Sequence, residues 1–279
     1  MSSVRLGAVG YLNARPLVYG LGASPQFALR FDVPSQCAEL LHAGAIDVGL
    51  IPSIEYLRHP GEPYAIVPDL AIASNGPVAS VAIFTTRPIA DVRSIALDTS
   101  SRTSVALVRV LCARVFGIRP ALDPLGPDLG EMLSRCDAAL IIGDNALVQQ
   151  GGEVQLPPGS GDRQRAAKVS IEKIDLGEVW TRATGLPFVY AFWSGRAGCL
   201  SAADVEALHC ARDLGLQRTE EIARDYFKDA PERWTLGARY LQDNIKYSLG
   251  VQERAGLDLF YRYALEAGVV EEAEPLRFF

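Results

Sequence analysis

Leu97-Asp98-Thr99-Ser100-Ser101-Arg102-Thr103-Ser104-Val105 puts five hydroxyl side chains within the six residues 99–104, after one apolar run and before an amphipathic one. One Ser or Thr is enough to cap a helix. Five of them, with the unpaired N–H groups and positive dipole end of a first helical turn, make a cradle for an anion such as a carboxylate. Ser101, Thr103 and Ser104 are the expected donors, and Arg102 either faces the ligand or makes a salt bridge across the surface.

Other polar groups stand at the ends of expected strands. Asn13, in Tyr11-Leu12-Asn13-Ala14-Arg15-Pro16, offers both a donor and an acceptor to a substrate, or caps the turn. Ser53 follows Gly49-Leu50-Ile51-Pro52 and either caps a helix or donates to a carboxylate. Ser80 closes the turn Asn75-Gly76-Pro77-Val78-Ala79 and points into a cleft if the next strand forms a hinge. In Ile141-Ile142-Gly143-Asp144, Gly143 permits close backbone approach, and Asp144 caps the next helix or holds the Arg102 region. Tyr190 lies in an aromatic strand that mostly builds core, with one or two rings free to wall a pocket.

The elements that position these groups alternate. Residues 4–10, 27–33 and 46–51 read as strands, with helices over 34–43 and from 53, which predicts a parallel sheet covered on both faces. Strands are expected at 65–74 and 80–86, and a second series follows: strand 94–98, helix 103–116, strand 138–142. The Gly/Pro/Arg-rich stretch 151–170 reads as an exposed excursion. Residues 171–176 lead into a helix at 177–183, residues 188–193 form another strand, and helices at about 201–214, 219–229, 231–247 and 251–267 finish the chain. This order predicts an α/β, two-lobed architecture: a first lobe of 1–86 plus 190–279, a second of 87–189, and a ligand cleft between them.

Composition narrows the chemistry. With 279 residues, 49% hydrophobic content and a net charge of −6, the chain is large enough for two cores and too acidic to suggest nucleic acid as a partner. No leader pattern opens it and no apolar run reaches membrane-spanning length, so a cytoplasmic protein without a membrane partner is expected. The five cysteines form no C-x-x-C pair and read as buried apolar residues. His42, His59 and His209 avoid the strand ends, which argues against a histidine base or a metal site. Walker, dinucleotide and G-x-S-x-G patterns are also missing, leaving cofactor-free chemistry or simple binding of a small molecule.

The segments YLNARPL (11–17), DVGLIPSIEYL (47–57), NGPVAS (75–80), LDTSSRTSVAL (97–107), ALIIGDNAL (139–147) and TGLPFVYAFW (184–193), in this order and spacing, resemble the menaquinone-biosynthesis family of chorismate dehydratase and dihydroxynaphthoate synthase. Asn75 stands where that family often has Asp. The resemblance implies a periplasmic-binding-protein-like fold of type II, used inside the cell without a cofactor. The naphthoate synthase branch carries a catalytic histidine where this chain has Gly143, so the dehydratase branch is favoured, with chorismate as substrate. The resemblance places Asn13 and Ser80 at the positions closest to the reacting atoms; Asn13 is expected to hold the enolpyruvyl carboxylate, Ser80 to bind near the departing hydroxyl, and Thr103, Ser104 and neighbouring N–H groups to grip a carboxylate from the second lobe. The alternatives are the sister naphthoate synthase activity and a non-catalytic organic-anion-binding protein. Nothing in the sequence specifies an oligomeric state.

Overall fold

A computed structural model of the chain describes residues 3–59, 61–157 and 167–279. The first part runs β1 (Val4–Val9), a tight helix Leu12–Val18, β2 (Phe27–Asp32), α1 (Pro34–His42), β3 (Val48–Pro52), a second tight helix Ser53–Arg58, β4 (Tyr64–Ile66) and β5 (Ile72–Ser74). Next come β6 (Val81–Thr85), β7 (Ser94–Asp98), α2 (Arg102–Leu111), β8 (Ala121–Leu125), α3 (Leu129–Arg135), β9 (Ala138–Ile142), α4 (Gly143–Val148), β10 (Gly152–Leu156), β11 (Ala167–Asp175) and α5 (Leu176–Thr184). The chain then forms β12 (Phe188–Arg196), α6 (Ala202–Leu216), α7 (Thr219–Tyr226), α8 (Trp234–Arg239) and α9 (Val251–Glu266).

Two six-stranded sheets organise these elements. The first has the order β2-β1-β3-β12-β4, with β5 also paired to β12; the second has the order β10-β11-β6-β9-β7-β8. Each contains a parallel trio, β2-β1-β3 and β9-β7-β8, extended by antiparallel strands. The expected parallel sheet is therefore mixed in both halves. The second sheet shows why apolar runs without alternation mark doubly covered strands. Ile83, Ile95 and Leu140 join the large core on one face. Their neighbours Phe84, Ala96 and Ala139 join a smaller core with Met132 and Leu133 on the other.

Several expected boundaries move. β6 was expected to close the first lobe, but its buried residues pair with β9 and β11, so the crossing into the second sheet falls before Val81 and not after residue 86. The return falls at Phe188, where β12 pairs with β5, slightly ahead of the expected 190. The run 65–74 is two strands, because Pro68 lacks a donor and Asp69 adopts a positive φ of 57°. Inside 151–170, β10 and β11 pair antiparallel, while residues 158–166 lie outside the described residues. The helix expected over 103–116 changes at Cys112 into a wider turn, and the one expected over 231–247 is three short pieces ending in the wide turn Tyr240–Asn244. The elements β8 and α3 went unread in the sequence.

Candidate active site

The ends of β1, β6, β7 and β9 meet β12 around a buried cavity lined by Tyr11, Asn13, Ser80, Ser101, Ser104, Gly143 and Tyr190 among its polar and backbone groups. Val9, Pro34, Pro52, Ile72, Val78, Val81, Ile142 and Ala191 supply its apolar wall. The cavity volume is about 40 Å³, enough to hold water. Among the described residues, no charged side chain lines it.

Asn13 lies in the tight helix after β1, where its carbonyl accepts a 2.9 Å hydrogen bond from the Tyr247 hydroxyl. Its Oδ1 is buried without a hydrogen-bond partner. Ser80 follows Ala79, whose φ of 65° is unusual for a residue with a side chain. Asp175 holds this turn: its carboxylate accepts from the N–H of Val78 at 3.0 Å and of Ala79 at 2.6 Å, and also caps α5. Ser80 Oγ accepts from the buried Tyr240 hydroxyl at 2.7 Å, and its carbonyl accepts from Gly143 N at 2.8 Å. The phenol of Tyr190, hydrogen-bonded with Ser74 Oγ at 3.2 Å, is pushed well above the usual tyrosine range by burial. It is a neutral wall.

The hydroxyl-rich segment divides in two. Ser101 caps α2 by accepting from Ser104 N, and the two hydroxyls lie 3.0 Å apart at the cavity edge. Thr103, one residue away and fully buried, faces instead the first-sheet lobe, where Oγ1 accepts from Ile54 N at 3.1 Å. Ser53 is also fully buried and gives its proton to the Val189 carbonyl at 2.8 Å. Neither lines the cavity, contrary to the expected ligand contacts.

Of its two expected alternatives Arg102 takes the salt bridge, while Asp144 takes neither of its own. Arg102 binds Glu55 at 2.7 Å and Glu39 at 2.6 Å, because α2 turns this side chain outward across the junction of the lobes. Glu55 is 1% exposed; burial alone would raise its carboxyl pKa, yet hydrogen bonds from His42 and Arg102, with Arg58 nearby, hold it below the usual value. Asp144 does not reach the Arg102 region. Its carboxylate accepts from Leu12 N at 3.3 Å and from the Tyr226 hydroxyl, and burial raises its pKa. Arg102, Thr103 and Asp144 thus fasten helices of the second sheet onto the first.

Of the ten expected site residues, the cavity gathers Asn13, Ser80, Ser101, Ser104, Gly143 and Tyr190. Sequence reasoning overlooked Tyr11, whose hydroxyl meets Ser100 Oγ at 3.3 Å, and Tyr240. Tyr11 stood inside a segment already singled out; Tyr240 carried no local signal. Among the described residues, no cluster of His, Cys, Asp and Glu could hold a metal, and no helix is long and apolar enough to cross a membrane.

Two α/β lobes clasping a cleft at their strand ends define the periplasmic-binding-protein fold. The chain superposes on the periplasmic aliphatic sulphonate binding protein of Escherichia coli with a TM-score of 0.65 at 16% identity, covering 98% of this chain and 94% of that one. It also superposes on a protein of Archaeoglobus fulgidus with a TM-score of 0.70 at 14% identity, covering 96% and 99%. Residues 4–266 match the family model described as menaquinone biosynthesis, and the chain belongs to that family. It is 32% identical over 256 residues to the chorismate dehydratase of Thermus thermophilus, covering 91% of this chain and 93% of that protein.

Proposed function

We propose that this protein is a chorismate dehydratase, a hydro-lyase that converts chorismate to 3-[(1-carboxyvinyl)oxy]benzoate and water. The observation that carries the reading is the meeting of Asn13, Ser80 and Gly143 on one buried cavity in a chain so similar to a chorismate dehydratase. Gly143 leaves no side chain at the position where the sister activity calls for a histidine.

The reaction needs no strong protein base. The enolpyruvyl carboxylate takes the neighbouring ring proton, the carbon–hydrogen electron pair becomes part of the aromatic ring, and the adjacent carbon–oxygen bond breaks. Proton and hydroxide leave together as water. Aromatisation supplies the driving force, while the protein supplies orientation and donors placed for developing charge. Asn13 holds the enolpyruvyl carboxylate through its amide N–H, and Ser80 hydrogen-bonds the departing hydroxyl. Ser101 and Ser104, with the positive end of α2, meet the ring carboxylate. Chorismate needs more room than about 40 Å³, so the lobes part to admit it and reclose to exclude water.

Incubation of the purified protein with chorismate, followed by chromatography, tests the reading. The benzoate product is expected, together with a loss of turnover in Asn13→Ala and Ser80→Ala, both still folded by circular dichroism; Ser80→Ala also melts lower, because it strips the buried Tyr240 hydroxyl of its acceptor. Unchanged chorismate would overturn the activity, and full rates in both variants would overturn the residue roles.

A further inference from the structure

Tyr240 is 2% exposed and begins the wide turn Tyr240–Asn244 that ends the α8 segment. Such turns hold one extra residue per hydrogen-bonded ring, cost helix stability and recur at functional sites. This one sets a phenol oxygen 2.7 Å from Ser80 Oγ, across 160 residues of sequence.

The direction of that bond follows from counting protons. A phenol has one proton and a serine hydroxyl has one. If the phenol were turned round, its acceptor among the neighbouring polar groups would be Asn13 Oδ1, yet that atom is buried without a hydrogen-bond partner. The hydrogen-bond geometry has the phenol donating to Ser80 Oγ, and burial raises the phenol's pKa. Tyr240 therefore keeps its proton and gives it to Ser80 Oγ. Once that lone pair is occupied, the serine's own proton is left for the remaining side, which is the cavity.

We propose that Tyr240 is a positioning residue for dehydration: it fixes the rotor of the Ser80 hydroxyl so that its proton meets the departing hydroxyl of the substrate. The assignment rests on the dehydratase reading. Without Tyr240, the Ser80 hydroxyl rotates among several orientations and the donor is preorganised only part of the time.

A double-mutant cycle tests this with Tyr240→Phe, Ser80→Ala and the double variant, measuring kcat and KM on chorismate and product accumulated over long incubations. Tyr240→Phe keeps the ring and is expected to lower kcat about 10-fold, the worth of one hydrogen bond, with KM within about twofold. Against Ser80→Ala, the same change is expected to have no further effect on kcat, because its target is gone. An equal loss in both backgrounds, a rise in KM with a lowered melting temperature, or an unchanged kcat in Tyr240→Phe would each overturn the proposal. Wild-type protein that leaves chorismate unchanged would overturn the dehydratase reading itself, and the positioning role with it.

Discussion

Gly143 allows a quantitative test of how the cavity is shaped. It has a φ of 63° and donates its N–H to the Ser80 carbonyl, and a Cβ there would lie 3.1 Å from three atoms of the Tyr11 ring. Gly117, which closes the turn after α2, has nearly the same φ of 66° with nothing within 4 Å of a Cβ. Alanine at either position costs roughly 1–2 kcal/mol for the left-handed backbone. At Gly143 the ring must also give way by a few tenths of an ångström, and crowding a packed site adds about 1–3 kcal/mol. At about 2–4 °C per kcal/mol, calorimetry should therefore show Gly143→Ala melting several degrees below Gly117→Ala. Because Tyr11 walls the cavity and meets Ser100, Gly143→Ala should also raise KM for chorismate, and Gly117→Ala should not. Equal melting temperatures with unchanged KM in both variants would refute the contact between Gly143 and Tyr11 as a determinant of the site.

Thr103→Val removes the acceptor of the buried Ile54 N–H; a stability loss of about 1–3 kcal/mol, with KM little changed, is expected from denaturant unfolding and steady-state kinetics. Glu55→Gln removes the charge that binds Arg102 and Arg58. The Glu55 carboxyl lies below its unfolded value, so its contribution is complete above the ordinary glutamate pKa of about 4.3 and fades as pH falls through the lowered one. The melting gap between wild type and variant should accordingly be full at neutral pH and shrink in acid; a gap that widens on acidification would contradict the sign. Among the cysteines, burial pushes Cys37 up to about 12 and both Cys112 and Cys199 up to about 11, while Cys210 is exposed. A native thiol titration should show Cys210 reacting ahead of the rest, and fast reaction at Cys37 would contradict its packing.

Much of this protein is written in short stretches of sequence, because the forces involved act between near neighbours. The serine that caps α2 bonds a backbone N–H three residues on, so Ser101 was legible as a helix start. The buried runs β3 and β9 were legible because strands covered on both faces lose their polar alternation. Strand ends carrying Asn13, Ser80 and Gly143 followed from those two signals. The partners of β6 did not, since an apolar strand has no mark for which sheet it joins. Nor did the facing of the hydroxyls in 99–104: successive helical residues differ by about 100° in direction, and only the docking of α2 decided that Ser104 met the cavity while Thr103 met Ile54. The bond from Tyr240 to Ser80 joins residues that no local pattern relates. Sequence determined where polar groups leave the strands, through local backbone chemistry. Tertiary packing decided which of them share a cavity and which fasten the lobes, because that depends on the placement of one sheet's helices against the other sheet.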